Sequence, residues 1–218
     1  MAEEKLPKLP KFAEDDDVAR AKVLWEEYGK SLTAGILLGL AGIVGFNYWG
    51  HYQQSQGEAA SELFESVDVD APIETTRGIV ATLKQDFRDT PYAVLAGLLL
   101  ARQFVEEDDL ESAASELSWV VSNTEDASMK HVARLRLVSV LLASNDPDRA
   151  LEILEHGNRE SSFSSRYHEL RGDAYLQRGR QGDRRLAKEA YSQSLKLLSL
   201  GAGNTALVQL KLENIGEI

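Results

Sequence analysis

The chain has 218 residues, with 35 Asp and Glu against 24 Lys and Arg, a net charge of −11, and no cysteine. The surplus of acid argues against a polyanion such as nucleic acid as a partner, and without cysteine neither a disulfide framework nor a thiolate metal site can form. The mean hydropathy of −0.29 is that of a water-soluble chain, so a long apolar run within it is a local anomaly.

Residues 1–17, rich in Pro, Lys and Asp, read as a disordered cytoplasmic tail. The juxtamembrane segment 18–30 opens with VARAKVLWEEY, which suits a short interfacial helix with Val18, Ala21, Trp25 and Tyr28 on one side. Residues 31–49, SLTAGILLGLAGIVGFNYW, carry no charge. As a helix they reach roughly 28 Å at 1.5 Å per residue, close to the ~30 Å hydrocarbon layer of a bilayer. A buried core helix would carry a polar stripe, whereas Ser31, Thr33 and Asn47 lie near the ends. A transmembrane helix is therefore expected over 31–50, with Trp25, Tyr28, Tyr48, Trp49 and Tyr52 at its two interfaces.

Lys5, Lys8, Lys11, Arg20, Lys22 and Lys30 precede the span, and the first basic residue after it is Arg77. That asymmetry places the N-terminus in the cytoplasm and residues 51–218 across the membrane. The competing reading is a cleaved signal peptide, which needs a short basic leader and small residues at the cleavage point. The thirty-residue, partly acidic leader and the bulky exit GFNYWGHYQQ favour an uncleaved anchor. Gly35, Gly39 and Gly42 share one helical face, the spacing that lets membrane helices approach closely. The plainer explanation is that glycine is common in membrane spans.

From residue 57 onward the pattern is helical, with predicted helices at 57–67, 72–87, 91–106, 109–122, 128–143, 147–156, 163–178, 184–199 and 204–215. Thr90-Pro91 and Asp146-Pro147 read as N-caps with proline at the first helical position. Gly157-Asn158 and Gly179 suit helix ends, Asp108 and Asp109 can cap the helix after them, and Asn204 can cap the last one.

Aligned on Ala113, Ala150 and Ala187, the helices fall into pairs 37 residues apart. Leu100-Ala101 with Phe104, Leu137-Val138 with Leu141, and Leu170, Gly172 and Tyr175 occupy the first helices; Leu117, Leu154 and Tyr191 follow the alanines in the second. This is the tetratricopeptide arrangement, small residues where two helices cross and large ones filling the gaps between pairs. The fold class expected is thus all-α: one N-terminal transmembrane helix followed by a tetratricopeptide-like solenoid over 57–218, the generic alternative being a plain helical bundle. Three extra residues around 182–186 predict a longer turn in the third unit, and 57–87 should supply a further helix pair.

In such a solenoid the first helices line a concave face. Its positions here are Leu95, Leu98 and Arg102, then Val132, Leu135 and Ser139, then Arg166, Glu169 and Asp173. This trough is a candidate surface for a segment of another protein; the alternative is that the C-terminal helix covers its apolar half. Catalytic signals are missing. There is no Ser–His–acid set, no glycine-rich phosphate loop and no metal-spaced pair among His51, His131, His156 and His168, so neither an enzyme nor a cofactor is expected.

The stretches LWEEYGKSLTAGILLGLAGIVGFNYW, PYAVLAGLLLARQFVEEDDLESAASEL and LRGDAYLQRGR resemble the YfgM family, the ancillary subunit of the SecYEG translocon in Gram-negative inner membranes. The resemblance runs over nearly the whole chain from residue 18. It implies a short cytoplasmic tail, one span and a periplasmic tetratricopeptide domain. It also implies association with SecYEG and with a membrane-anchored periplasmic chaperone, and help to secreted client proteins as they emerge. Two readings of other classes stand beside it: a regulator whose cytoplasmic tail restrains a signalling factor, and a homo-oligomeric membrane scaffold.

Overall fold

The computed structural model describes residues 14–68, 70–156, 162–199 and 205–216, and these form helices without a strand. They divide into two units, Met1–Ser55 and Gln56–Ile218.

Helix α1 runs from Glu14 to Glu65, 52 residues without a break. It merges three expected elements: the juxtamembrane helix, the span and the helix over 57–67. The last residues of the expected disordered tail, Glu14 to Asp17, are already its first turn, while residues 1–13 lie outside the described residues. Its stretch Trp25–Glu65 is long and apolar enough to cross a membrane. Leu38, Phe46 and Tyr48 are at least 75% exposed, so these apolar side chains are largely uncovered among the described residues. A Cβ built on Gly35, Gly39 or Gly42 would meet nothing within 4 Å, and that face is open.

The second unit holds the end of α1 and eight further helices among the described residues: α2 (Ile73–Asp86), α3 (Pro91–Glu106), α4 (Leu110–Asn123), α5 (Ala127–Ala143), α6 (Pro147–Glu155), α7 (Ser164–Arg178), α8 (Asp183–Ser199) and α9 (Ala206–Glu213). Of the two helices expected over 57–87, α2 packs chiefly on α3, and the end of α1 reaches the core through Phe64, whose ring lies 5.7 Å from that of Tyr92. From α2 onward each helix packs on the next in sequence, and α5 also meets α7, the nearest-neighbour stacking of a repeat protein. The alanines that set the register, Ala113, Ala150 and Ala187, are fully buried, as are Val120, Val138 and Leu154 beside them. A second small cluster, Ala187, Tyr191, Val208 and Ile215, seats α9 on α8 and closes the end of the solenoid.

The turns explain why the register holds. After α3, Asp108 takes a left-handed conformation (φ 61°), and after α5 Asn145 does the same (φ 60°). Asp and Asn are among the few non-glycine residues that visit this region readily. In each turn the next residue's N–H closes back on the helix, Asp109 to the Phe104 carbonyl and Asp146 to the Leu141 carbonyl, both at 2.8 Å. This satisfies carbonyls that the helix end leaves unpaired. The same two residues then cap the following helix: Asp109 Oδ1 accepts from Ser112 N–H at 3.0 Å, and Asp146 Oδ1 from Arg149 N–H at 3.2 Å. Asp108 therefore shapes the turn and only Asp109 caps. Asp126 caps α5 in the same way, accepting from Met129 N–H at 2.7 Å. Thr90 sits before Pro91 but makes no cap; its hydroxyl donates to the Phe87 carbonyl instead. Gly157-Asn158 and Asn204 lie outside the described residues. Replacing Asp146 with Ala is expected to cost about 1 kcal/mol, the usual worth of such a cap. A thermal melt should register this as a fall of roughly 2–4 °C.

In the third unit Gly179 supplies a left-handed residue right after the helix (φ 65°), and Gly182 a second positive φ (87°) before α8. The three extra residues do not all enter the turn. It grows by one, 179–182 against 107–109 and 144–146, and α7 and α8 each lengthen by one toward it. Helix extension adds backbone hydrogen bonds, whereas a longer loop adds only closure entropy, so the chain absorbs most of the insertion as helix.

Candidate protein-binding trough

Helices α3, α5 and α7 are the first helices of the three repeats, and their exposed edges form one wall. A groove of about 760 Å³ opens between them, lined by Leu98, Leu99, Ala101, Arg102 and Val105 of α3, Leu117 of α4, Val132, Leu135, Arg136, Ser139 and Val140 of α5, and Phe163 and Arg166 at the start of α7. Six of the nine expected concave positions therefore meet in one place: Leu98, Arg102, Val132, Leu135, Ser139 and Arg166. Leu95 is half-buried away from this groove, and Glu169 and Asp173 are engaged elsewhere.

The floor is apolar, with Leu98, Ala101, Leu117, Leu135 and Val140 buried and Val105 exposed at its edge. Phe163 is held as a side wall by His131, whose ring stacks on it at 5.3 Å and whose Nδ1 lies 2.9 Å from the Tyr167 hydroxyl. Burial, aided by the nearby Arg134 charge, keeps His131 below its ordinary pKa, which favours a neutral imidazole there. The rim is basic. Arg102 Nε donates to Glu106 at 2.8 Å and Arg166 pairs with Glu169 at 2.6 Å, while Arg136 makes no ion pair among the described residues.

The third repeat's other two positions are structural. Lys211 Nζ, carried in by α9, donates to Glu169 at 2.8 Å and to Asp173 at 2.7 Å. Asp173 also accepts from the Tyr191 hydroxyl at 2.6 Å. Burial opposes ionisation of Glu169, yet the hydrogen bonds from Lys211 and Arg166 hold its carboxyl below the usual value. Burial also opposes the charge on Lys211, and the bonds to Asp173 and Glu169 outweigh it, so its ammonium is held above the ordinary range. Helix α9 thus engages the charged third of the concave strip and leaves the Leu98–Leu135 part lining the groove.

Sequence reasoning missed Arg136 and Val105 as lining residues. Helical spacing could have found both: Leu98, Arg102 and Val105 lie at i, i+4 and i+7, as do Val132, Arg136 and Ser139. Phe163 had no such signal, because its place depends on the His131 and Tyr167 contacts. No group of three or more His, Asp or Glu among the described residues could hold a metal ion.

Residues 22–217 match the family model of the tetratricopeptide repeat-like domain. The chain is 30% identical to a protein of Escherichia coli strain K12, over 93% of this chain and 96% of that one. It is 26% identical to proteins of Haemophilus influenzae and Neisseria gonorrhoeae, over 93% of this chain and 97% of each. All three are called ancillary SecYEG translocon subunits. Among solved structures, a crystal structure of nearly identical tetratricopeptide-like repeats from a Podosopora anserina protein described as a kinesin light chain superposes with a TM-score of 0.53. It shares 19% identity and covers 74% of this chain and 84% of that one, a likeness of fold alone. With its repeats in register and relatives matched over almost their full length, this chain belongs to the tetratricopeptide repeat-like family of ancillary SecYEG translocon subunits.

Proposed function

We propose that the protein is a non-enzymatic, membrane-anchored adaptor at the SecYEG channel, holding a membrane-anchored periplasmic chaperone near secreted proteins as they emerge. Its N-terminus lies in the cytoplasm and its repeat domain in the periplasm of the inner membrane. The observation that carries this reading is an open, largely apolar trough on a solenoid in a chain whose described residues also hold one largely exposed helix apolar enough to cross a membrane. The anchor confines the repeats to the membrane surface, and confinement raises the local concentration of a second partner enough for weak contacts to hold it. The names of the relatives support the channel as the first partner. The groove supports a peptide segment as the second ligand, and Gly35, Gly39 and Gly42 form the face suited to a partner helix in the membrane.

Crosslinking tests the assembly. Photoreactive residues placed over 36–47 should give adducts with the channel; self-adducts alone would favour the scaffold. Leu98→Asp with Leu135→Asp should remove chaperone or client capture and leave the channel adducts intact. Retention of every partner by that variant rules out the trough. The absence of native cysteine makes orientation directly readable. Ser122→Cys should react with a membrane-impermeant maleimide in spheroplasts, and Lys8→Cys should react only after lysis.

A further inference from the structure

Acids outnumber bases by 27 to 18 over residues 51–218. The groove reverses that balance. Its lining holds three arginines, Arg102, Arg136 and Arg166, and no Asp or Glu. Two of the three are already matched, Arg102 by Glu106 and Arg166 by Glu169, and Glu169 is shared with Lys211. Arg136 adds a charge that no described carboxylate offsets, on the rim of a floor made by Leu98, Leu135 and Val140. A guanidinium keeps its charge at any working pH and presents a planar fork matched to a carboxylate. An anionic surface with a local basic rim repels acidic segments everywhere except at that rim, so the same charges that attract a ligand also set where it lands.

We propose that the trough selects an apolar polypeptide segment bearing carboxylates, its aliphatic side chains on the Leu98–Leu135 floor and its acids on Arg136 first and on Arg102 second. This rests on the trough being a protein-binding surface and adds which segments it takes. Arg102 can exchange Glu106 for a ligand at little cost, because an exposed i, i+4 pair on a helix is worth only a few tenths of a kcal/mol. Arg166 is the least available, since its partner Glu169 is buried. The size of the groove suits a handful of side chains and excludes a folded domain. Lysine-rich segments are rejected, because they would bring cations against an uncompensated Arg136.

The test uses the full chain in nanodiscs and two short fluorescent peptides with the same Leu and Val positions, one with Glu at every polar position and one with Lys. Anisotropy titrations at about 50 mM salt should give the Glu peptide at least about tenfold tighter binding, the worth of one good charge-assisted contact. Arg136→Glu should abolish the preference, and Arg102→Glu should reduce it. Arg185→Glu, on the exposed face of α8, should leave it unchanged. Equal affinities for the two peptides, or an Arg136→Glu effect no larger than that of Arg185→Glu, overturns the proposal. The Leu98→Asp, Leu135→Asp variant separates the two levels of the argument. If it loses both peptides while Arg136→Glu changes nothing, the trough binds segments without selecting acids. If it loses no partner at all, the trough itself is wrong.

Discussion

Replacing Gly172 with Ala will destabilise the repeat domain by about 2–3 kcal/mol, even though Ala is the better helix former by up to ~1 kcal/mol. Gly172 lies in α7 where α8 crosses it. A Cβ at this position would stand 2.6 Å from Tyr191 Cδ1 and 2.7 Å from Cζ, and closer still to Cε1. A flexible side chain could swing aside, but Tyr191 cannot. It is 1% exposed, and its hydroxyl is bonded to Asp173 at 2.6 Å. The backbones must therefore part, and the contacts between α7 and α8 loosen with them. A fall of roughly 4–12 °C in the thermal midpoint is expected for a domain of this size. Tyr191→Ala will itself cost about 3–5 kcal/mol by opening a cavity and leaving Asp173 with Lys211 but without the tyrosine hydroxyl. Combined with Gly172→Ala, the loss should be clearly less than the sum, because the ring that the methyl group meets is gone. Tyr191→Phe keeps that ring, and with it the penalty of Gly172→Ala should persist. Additive losses in the Gly172→Ala, Tyr191→Ala pair would show that the crossing does not depend on this contact.

That crossing was legible in the sequence, and the reason is local. Small residues recur where helices must approach, and Asp108, Asn145 and Gly179 recur where the backbone must turn left-handed. Each requirement falls on a short list of residue types within a residue or two of the same place in each repeat, so a chain read in single file reveals it. For the same reason both ends of each helix from α2 to α9 lie within two residues of the expected ones. The continuity of α1 was not legible. Gly50, Gly57 and the polar residues between them look like a break, yet each glycine costs a helix only ~1 kcal/mol, and elongation from the long apolar stretch offsets that. The fate of Glu169 and Asp173 was hidden for a different reason. In the repeat they occupy the places of Leu135 and Ser139, on the concave strip. What ties them up is Lys211, 42 and 38 residues downstream, and no periodicity within the repeat foretells it.

Lys211→Met should cost about 2–3 kcal/mol, somewhat below the usual loss on breaking a buried pair because the Lys211 side chain is 27% exposed. The loss falls on one end of the molecule. Helix α9 is held to α8 by Val208 and Ile215, and to α7 through Lys211, so hydrogen exchange should rise over 206–213 before the rest of the domain responds. The pH profile distinguishes a lost charge from a lost contact. Glu169 has a depressed pKa in the folded chain, so the unfolded state takes up its proton first as pH falls. The stabilisation it gives is complete above the ordinary value of 4.5 and is lost as pH drops through the lower folded value. Without Lys211, only Arg166 is left to oppose burial at Glu169, so its folded pKa rises and acid acts less against this contact. The wild-type thermal midpoint should therefore fall more steeply than that of Lys211→Met as pH is lowered from about 5 to 3, and the two curves should converge at the acid end. Parallel curves would mean that the ammonium contributes packing alone, and α9 would then be fastened by its apolar face and not by the charges on the concave strip.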